Sequence, residues 1–242
     1  GIRDKYKTLY LRNRFLMRNK FISFLLVILI FPGINIEIAQ ANGESWTSRP
    51  DSPAAAWYSI TYGNGLFVAV SLNGTVMTSP DGISWTSRTA AAPNQWTAIT
   101  YGNGLFVAVG PTGTGNRVMT SPDGISWTSR TSAADYEWRG IAYGNGVFVA
   151  VNWNGNGNKV MTSTDGFTWT LQASAVLGNW MDITYGNGLF VAVSYDGGHQ
   201  VMTSPDGIAW TAQAAASNNE WFGVTYGNSL YVAVSRSGTN NR

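Results

Sequence analysis

The sequence contains no cysteine and a single histidine, His199, among its 242 residues. The first absence excludes disulfide bonds and thiolate metal sites, and the second excludes chemistry that needs two histidines. Charged residues are also scarce, at 12% of the chain. Aromatic residues, in contrast, are abundant, with 11 Trp, 11 Tyr and 10 Phe. They suffice to bury a substantial core without covalent cross-links.

The sequence also lacks an apolar run of the roughly 20 residues that a membrane-spanning helix requires. Its most apolar stretch, 21–31, has 11 residues; it follows a basic segment and precedes the small-x-small site Ala39-Gln40-Ala41. This combination indicates a secretory signal peptide over 17–41, preceded by an upstream extension, 1–16. An uncleaved membrane anchor is the alternative. We therefore expect a bacterial protein that is secreted, extracellular or at the cell surface, with the periplasm as an alternative, and not membrane-bound after cleavage.

The basic character of the chain belongs to this leader. The whole sequence has a formal net charge of +2, but residues 1–41 hold seven of its basic residues and only two of its acidic ones. The remaining 42–242 carry eight basic and eleven acidic residues. A nucleic-acid partner is therefore not expected.

A repeat of about 41 residues runs through 42–242. The tripeptide Tyr-Gly-Asn recurs at intervals of 39, 42, 42 and 41 residues, starting at Tyr62, Tyr101, Tyr143, Tyr185 and Tyr226. An Asp-Gly pair begins at Asp81, Asp123, Asp165 and Asp206, and four residues after each aspartate stands Trp85, Trp127, Trp169 or Trp210. A second tryptophan set precedes each tyrosine by five residues: Trp57, Trp96, Trp138, Trp180 and Trp221. Self-similarity of this period is typical of repeat architectures.

Each repeat contains four strand candidates, which we name A to D in chain order. Asn103-Gly104 predicts a tight hairpin between A and B, and Pro122-Asp123-Gly124 predicts a turn between C and D. Strand B reads L-F-V-A-V, a continuous apolar run that is typical of a strand buried on both faces. No part of 42–242 has helical periodicity. The prediction is an all-β fold, a β-propeller of four-stranded blades, with a β-solenoid as the structural alternative.

The copies also predict where the blades lie. Complete blades are expected over 57–89, 96–131, 138–171 and 180–212, with a partial blade over 221–242. Residues 44–49 copy a lone D strand. We therefore expect either a ring truncated within a blade or a five-bladed ring, which the N-terminal D strand helps to complete by covering a sheet edge.

The stretch 79–85, S-P-D-G-I-S-W, and its three later copies resemble the Asp-box of sialidase-type (BNR) repeats, S-x-D-x-G-x-T-W. Here Asp and Gly are adjacent, so the box is one residue shorter. The resemblance covers 44–242. It implies a propeller in which the box is a folding element at the C–D turn, with Asp accepting from backbone N–H groups and Trp covering the turn. Structural roles are thus expected for the four box aspartates and the four tryptophans that follow them.

In a propeller, the A–B and C–D turns emerge on one face and the B–C and D–A loops on the other. The first face is uniform here, whereas the loops of the second face vary in length and composition. Variable loops on a constant scaffold are where binding residues are expected, although unconstrained drift is the alternative. Aromatic residues beside Asn and Asp suit sugar rings. The ligand-binding candidates on this face are Tyr136, Trp153, Asn154, Tyr195, Asp196 and His199.

Catalytic and metal sites find little support. A sialidase-type site needs clustered arginines, whereas Arg49, Arg88 and Arg130 occupy one repeated position around the ring. Asp182 stands in strand A where other copies have small residues, and a polar structural role is favoured over catalysis there. The stretch 152–157 has the spacing of a calcium loop but no charge. No catalytic residue, metal or cofactor is therefore predicted.

The sequence favours an exported β-propeller binding module that presents its variable face to a glycan or a cell-surface protein. Two alternatives remain open. One is a sialidase-like glycoside hydrolase whose catalytic residues lie mostly outside this sequence, and the other is a non-binding structural repeat of a larger surface protein.

Overall fold

A computed structural model describes residues 47–48, 53–154, 159–196 and 201–238. All of its strands lie in one compact unit, Ser48–Arg242. They form four antiparallel sheets of four strands and one of two, and no helix occurs among the described residues. Within those residues there is accordingly no helix long and apolar enough to cross a membrane. The leader 1–41, most of the lone D strand 44–49 and His199 lie outside the described residues.

Each sheet is one blade, and its strands follow the order of the chain. The first three blades consist of β1 (Trp57–Gly63), β2 (Leu66–Ser71), β3 (Thr75–Ser79) and β4 (Thr86–Thr89); β5 (Ala98–Gly102), β6 (Leu105–Val109), β7 (Val118–Ser121) and β8 (Thr128–Arg130); and β9 (Trp138–Gly144), β10 (Val147–Asn152), β11 (Val160–Ser163) and β12 (Thr170–Gln172). The last two consist of β13 (Trp180–Gly186), β14 (Leu189–Ser194), β15 (Val201–Ser204) and β16 (Thr211–Gln213); and β17 (Trp221–Gly227) and β18 (Leu230–Ser235). The predicted all-β class with four-stranded blades is confirmed.

The A–B hairpins close through left-handed turn residues. Asn103 and Gly104 have φ of 49° and 73°, which is the geometry that an Asn-Gly hairpin turn favours. Three other blades repeat this pair. The fifth blade has Asn228 and Ser229 instead, and Ser229 adopts a φ of 64° without the freedom of a glycine.

The inner strands pack side by side in chain order, from β1 through β5, β9 and β13 to β17. A tryptophan from each of the three middle blades, Trp96, Trp138 and Trp180, is fully buried between sheets. Strand B is buried on both faces in the middle of the array, as β6 shows, but alternately exposed in β18. The apolar run of strand B therefore predicts burial correctly in the first four blades but not in the fifth.

Four of the five inner strands begin with a β-bulge. The register shifts between Trp57 and Ser59 in β1, and equivalent shifts occur at the starts of β9, β13 and β17. In each case the extra residue directly follows a tryptophan of the second set. A bulged residue is left out of the ladder, and its side chain is redirected. The bulged residues are Tyr58, Arg139, Met181 and Phe222.

Candidate binding site

The C–D turns are held by their own polar groups. Asp123 Oδ1 accepts hydrogen bonds from the backbone N–H groups of Ile125 and Ser126, both at 2.8 Å, and from the Ser121 hydroxyl. These bonds, led by the one from Ser126, lower the pKa of Asp123 to about 2. Trp127 Nε1 donates to the carbonyl oxygen of Gly124 at 3.1 Å. The box carboxylates thus serve the turns.

The same bonding pattern recurs in the other three complete blades. Asp165 also has its pKa lowered to about 2, and the pKa values of Asp81 and Asp206 are lowered by the same kinds of bonds. The accompanying tryptophans, Trp85, Trp169 and Trp210, each donate to the glycine carbonyl of their own turn. This face is chemically uniform from blade to blade, and its acids are already engaged.

On the opposite face, the four bulged residues line one pocket of about 230 Å³, which we name the axial pocket. It lies where the inner strands of four blades meet. Its remaining lining residues are Trp153, Tyr195 and Arg236, each the first residue after a strand B. Because the ring geometry gathers two positions of the repeat at its axis, residues more than 170 positions apart in sequence, such as Tyr58 and Arg236, share this pocket.

Backbone hydrogen bonds fix the residues that follow strand B. The N–H of Trp153 donates to the carbonyl of Glu137 at 2.9 Å, and the N–H of Tyr195 donates to that of Asn179 at 2.9 Å. The two rings lie 4.8 Å apart between centroids, tilted by 57°. Such a pair presents a rigid aromatic wall at low conformational cost. The structure thus brings together two of the six predicted binding residues.

Arg139 supplies positive charge beside this wall. Its guanidinium lies 6.0 Å from the Trp153 ring centroid, within the range of a cation–π contact. Its Nη2 pairs with Glu137 at 3.4 Å, while its Nε is buried without a hydrogen-bond partner among the described residues. None of the described residues that line the axial pocket is a carboxylate. The pocket therefore combines aromatic surface with two arginines, Arg139 and Arg236.

Tyr136 and Asn154 line a second, neighbouring pocket of about 260 Å³. At its edge, Arg117 donates to the backbone carbonyls of Pro111 and Tyr136 and pairs with Asp135 at 3.5 Å. The Tyr136 ring packs against the core beside Trp138. The loops around this pocket are therefore held together by Arg117, and Tyr136 packs against the core there.

Asp196 is engaged within its own loop. Its Oδ1 accepts from the N–H of Asn179 at 2.6 Å and from the Ser194 hydroxyl at 2.8 Å. The nearby side chain of Lys159 is buried; desolvation lowers its pKa, and the charge of Asp196 opposes this shift. Asp196 therefore orders the loop behind Tyr195 and does not enter the axial pocket. The last candidate, His199, lies outside the described residues.

Asp182 joins two blades. Its Oδ2 accepts from the backbone N–H of Val224 on β17 at 2.9 Å, and its Oδ1 accepts from the N–H of Ile183. Desolvation outweighs these two bonds and raises the pKa of Asp182 to about 6. Ser59, at the equivalent position of β1, also joins two blades: its hydroxyl accepts a hydrogen bond from the backbone N–H of Ile99 on β5 at 3.3 Å. In this geometry Asp182 has a polar structural role, because its carboxylate accepts backbone hydrogen bonds from two inner strands.

Sequence reasoning missed five residues of the axial pocket: Tyr58, Arg139, Met181, Phe222 and Arg236. A signal for them was present in the repeat. The residue after each tryptophan of the second set differs in all five copies, although the tryptophan itself repeats. The residue after strand B differs in the same way. Among the described residues no three acidic, histidine or cysteine side chains are grouped so as to hold a metal ion.

No protein-family model and no curated protein matches the chain. Solved structures do. Virginiamycin B lyase from Staphylococcus aureus is similar over 75% of this chain and 64% of its own, with 15% identity and a TM-score of 0.65. A nidogen/laminin complex matches over 76% and 73%, with 15% identity and a TM-score of 0.58. YCF48 bound to D1 peptide matches over 70% and 57%, with 15% identity and a TM-score of 0.51.

The chain spans less than two thirds of the lyase. At this level of identity, the likeness concerns the fold alone, and the similar structures are propellers. This likeness, together with the arrangement of one sheet per blade, shows that the chain is a β-propeller protein.

Proposed function

We propose that this protein is an exported binding module that captures its partner at the axial pocket of the variable face. The observation that carries the proposal is that four bulged inner-strand residues, Arg139 among them, meet the Trp153–Tyr195 wall and Arg236 in one pocket. A bulge interrupts the regular pairing of its strand and redirects a side chain, and bulges are over-represented beside functional sites. Aromatic residues and arginine are also the types most enriched at binding hot spots.

The partner we favour is a protein segment. Two of the similar structures are of complexes, nidogen with laminin and YCF48 with D1 peptide. A pocket with an aromatic wall and two arginines can bury an apolar side chain and bind a neighbouring carboxylate or carbonyl. Export rests on the signal-like segment 17–41, and a cell-surface partner follows from it.

A glycan is the second candidate. The tilted rings of Trp153 and Tyr195 offer apolar faces, and Asn154 is exposed next to them. Sugar rings stack on aromatic faces while their hydroxyls need polar partners. Glycoside hydrolysis gains no support at this pocket, because it requires a carboxylate pair and the described residues that line the pocket include no carboxylate.

The test compares Trp153→Ala with Phe167→Ala on a peptide array and a glycan array. Phe167 is an exposed aromatic at a C–D turn, on the uniform face, and serves as the matched control. We expect Trp153→Ala to weaken binding at least about tenfold, since truncating a hot-spot aromatic costs about 2 kcal/mol or more. Phe167→Ala should bind as the wild type does. Equal binding by both variants would contradict the axial site, and no binding on either array would favour the structural-repeat alternative.

A further inference from the structure

The charge of the axial pocket is opposite in sign to that of the surrounding chain. The part 42–242 holds eight basic and eleven acidic residues, and two of those eight basic residues, Arg139 and Arg236, line this one pocket. The described lining residues include no carboxylate. A concave site lined by charges of one sign attracts ligands of the other sign. The pocket therefore favours an anionic group.

The two arginines are held differently. Arg139 is fixed from two sides, because its Nη2 pairs with Glu137 at 3.4 Å and its guanidinium lies 6.0 Å from the ring centroid of Trp153. Arg236 is exposed, and its guanidinium has no ion-pair partner among the described residues. Its backbone N–H donates to the carbonyl oxygen of Glu220 at 2.8 Å. The main chain thus fixes the position of Arg236, while its charge remains available to a ligand.

The rest of the pocket offers apolar surface for one side chain. Tyr58 and Phe222 are exposed by 40% and 42%, and the thioether of Met181 is buried beside them. Aromatic rings and a flexible thioether accept apolar groups of several shapes. The volume of about 230 Å³ is below the roughly 300–1,000 Å³ of pockets that hold a whole small-molecule ligand. It suits a single residue of a peptide better than a chain of sugar rings.

We propose that the axial pocket selects an acidic peptide segment, in which a carboxylate stands next to an aromatic or large aliphatic side chain. This inference rests on the proposed function and specifies the chemistry of its ligand. The carboxylate binds Arg236, whose guanidinium fork matches it, and the apolar side chain packs on the Trp153–Tyr195 wall. A C-terminal carboxylate and an Asp or Glu side chain present the same group, so the experiment separates these two sources.

Glu137 competes with the ligand for Arg139. The side chains of this ion pair are exposed by 24% and 37%, and partly exposed pairs at such distances are weak. A ligand carboxylate can therefore displace Glu137 from the guanidinium. The backbone carbonyl of Glu137 also holds the N–H of Trp153 at 2.9 Å, and a side-chain substitution leaves that bond in place. Glu137 thus weakens the binding of anions without being needed for the aromatic wall.

The test titrates the full chain with three peptides by isothermal calorimetry. The first is acetyl-Gly-Gly-Phe with a free C-terminal carboxylate, the second is the same peptide as its C-terminal amide, and the third is acetyl-Gly-Asp-Phe-Gly amide. We expect the wild type to bind a carboxylate peptide at least about tenfold more tightly than the amide of the first, since hydrogen bonds to charged groups are the stronger ones. Whichever of the first and third peptides binds more tightly identifies the source of the carboxylate.

Three variants assign the selectivity to residues. Arg236→Gln should abolish the tenfold preference without changing the melting temperature, because no ion pair is lost. Glu137→Gln should strengthen binding of the carboxylate peptide about threefold and leave the amide peptide unchanged, whereas a merely structural role would affect both alike. Arg88→Gln, on the outer strand β4, is the matched control and should bind like the wild type.

Trp153→Ala distinguishes this inference from the proposed function. If it weakens all three peptides while the wild type does not prefer carboxylate to amide, the axial site stands and the acidic selectivity is overturned. If it binds every peptide as the wild type does, the axial site itself is wrong. The inference also fails if the wild type binds no peptide up to about 10 mM, or if Arg236→Gln and Arg88→Gln reduce binding equally.

Discussion

Asp123 and Trp127 hold the same turn by different physical means. The aspartate satisfies two backbone N–H groups and a hydroxyl, but its carboxylate is exposed to water. The tryptophan is half-buried and packs against the core cluster that joins the first two blades. Solvent competes for the hydrogen bonds and screens the charge, whereas burial of the indole removes a large apolar surface from water.

We predict that Trp127→Ala destabilises the protein more than Asp123→Asn does. The truncation should lower the free energy of unfolding by about 3 kcal/mol, and the amide substitution by about 1 kcal/mol. Equilibrium denaturation of both variants at neutral pH measures the two values. The reverse order would show that turn hydrogen bonding dominates over packing at the box.

At the scale of the strands, the junction of β13 with β17 carries a titratable group. The Asp182 carboxyl is partly desolvated between them, which raises its pKa to about 6 from the usual 3.8. A raised pKa means that the folded state binds the proton more tightly than the unfolded state does. The stability that Asp182 contributes is therefore complete below about pH 4 and is lost as the pH rises through about 6.

We predict that Asp182→Asn removes this dependence. Between pH 4 and pH 7, the free energy of unfolding of the variant should gain on that of the wild type by about 2–3 kcal/mol, from the size of the pKa shift. Chemical denaturation across this range measures it. The box aspartates have lowered pKa values, so the stability they contribute is lost only as the pH falls below about 4 toward 2, and they do not interfere.

Ser59→Ala is the matched control for this measurement. Ser59 joins β1 to β5 through the same kind of backbone bond but does not titrate. Its removal should change stability by an amount that is independent of pH. A pH-independent difference for Asp182→Asn as well would mean that its carboxyl titrates normally in the folded protein.

At the scale of the whole molecule, the blades are not equivalent. Central blades bury both faces of their sheets, whereas in the fifth blade strand B, β18, is alternately exposed and only two strands are described. In repeat-like architectures, stability is roughly the sum of each unit and its interfaces with neighbours. A unit with one interface should therefore open more often than a unit with two.

We predict that amides paired between β17 and β18 exchange at least about tenfold faster than those paired between β9 and β10, a difference of about 1.4 kcal/mol. Hydrogen exchange read by mass spectrometry measures it. Equal exchange in the two pairs would indicate that all blades unfold as one cooperative unit.

The local sequence was sufficient to predict the four-stranded blade. Asn-Gly turns accept left-handed geometry, the apolar strand B needs cover on both faces, and the Asp-Gly-x-x-Trp spacing closes a turn on itself. These are interactions over a few residues, so they can be read from spacing alone. The same reasoning identified Trp153 and Tyr195, because no packing register of the repeat accounts for Trp153 and a variable loop holds Tyr195.

Only the tertiary structure decided which variable positions meet. Tyr58, Met181 and Phe222 belong to inner strands that the repeat marks as core, and a bulge in each strand redirects them toward the axis. Whether an isoleucine at a repeated position is buried, like Ile99, or open, like Ile60, likewise depends on the presence of a neighbouring blade. The geometry of a turn depends on residues that are neighbours in sequence, so it can be predicted from each copy of the repeat. Convergence at the axis and exposure at the two ends arise from how the copies are arranged in space, and identical local sequences cannot specify that difference.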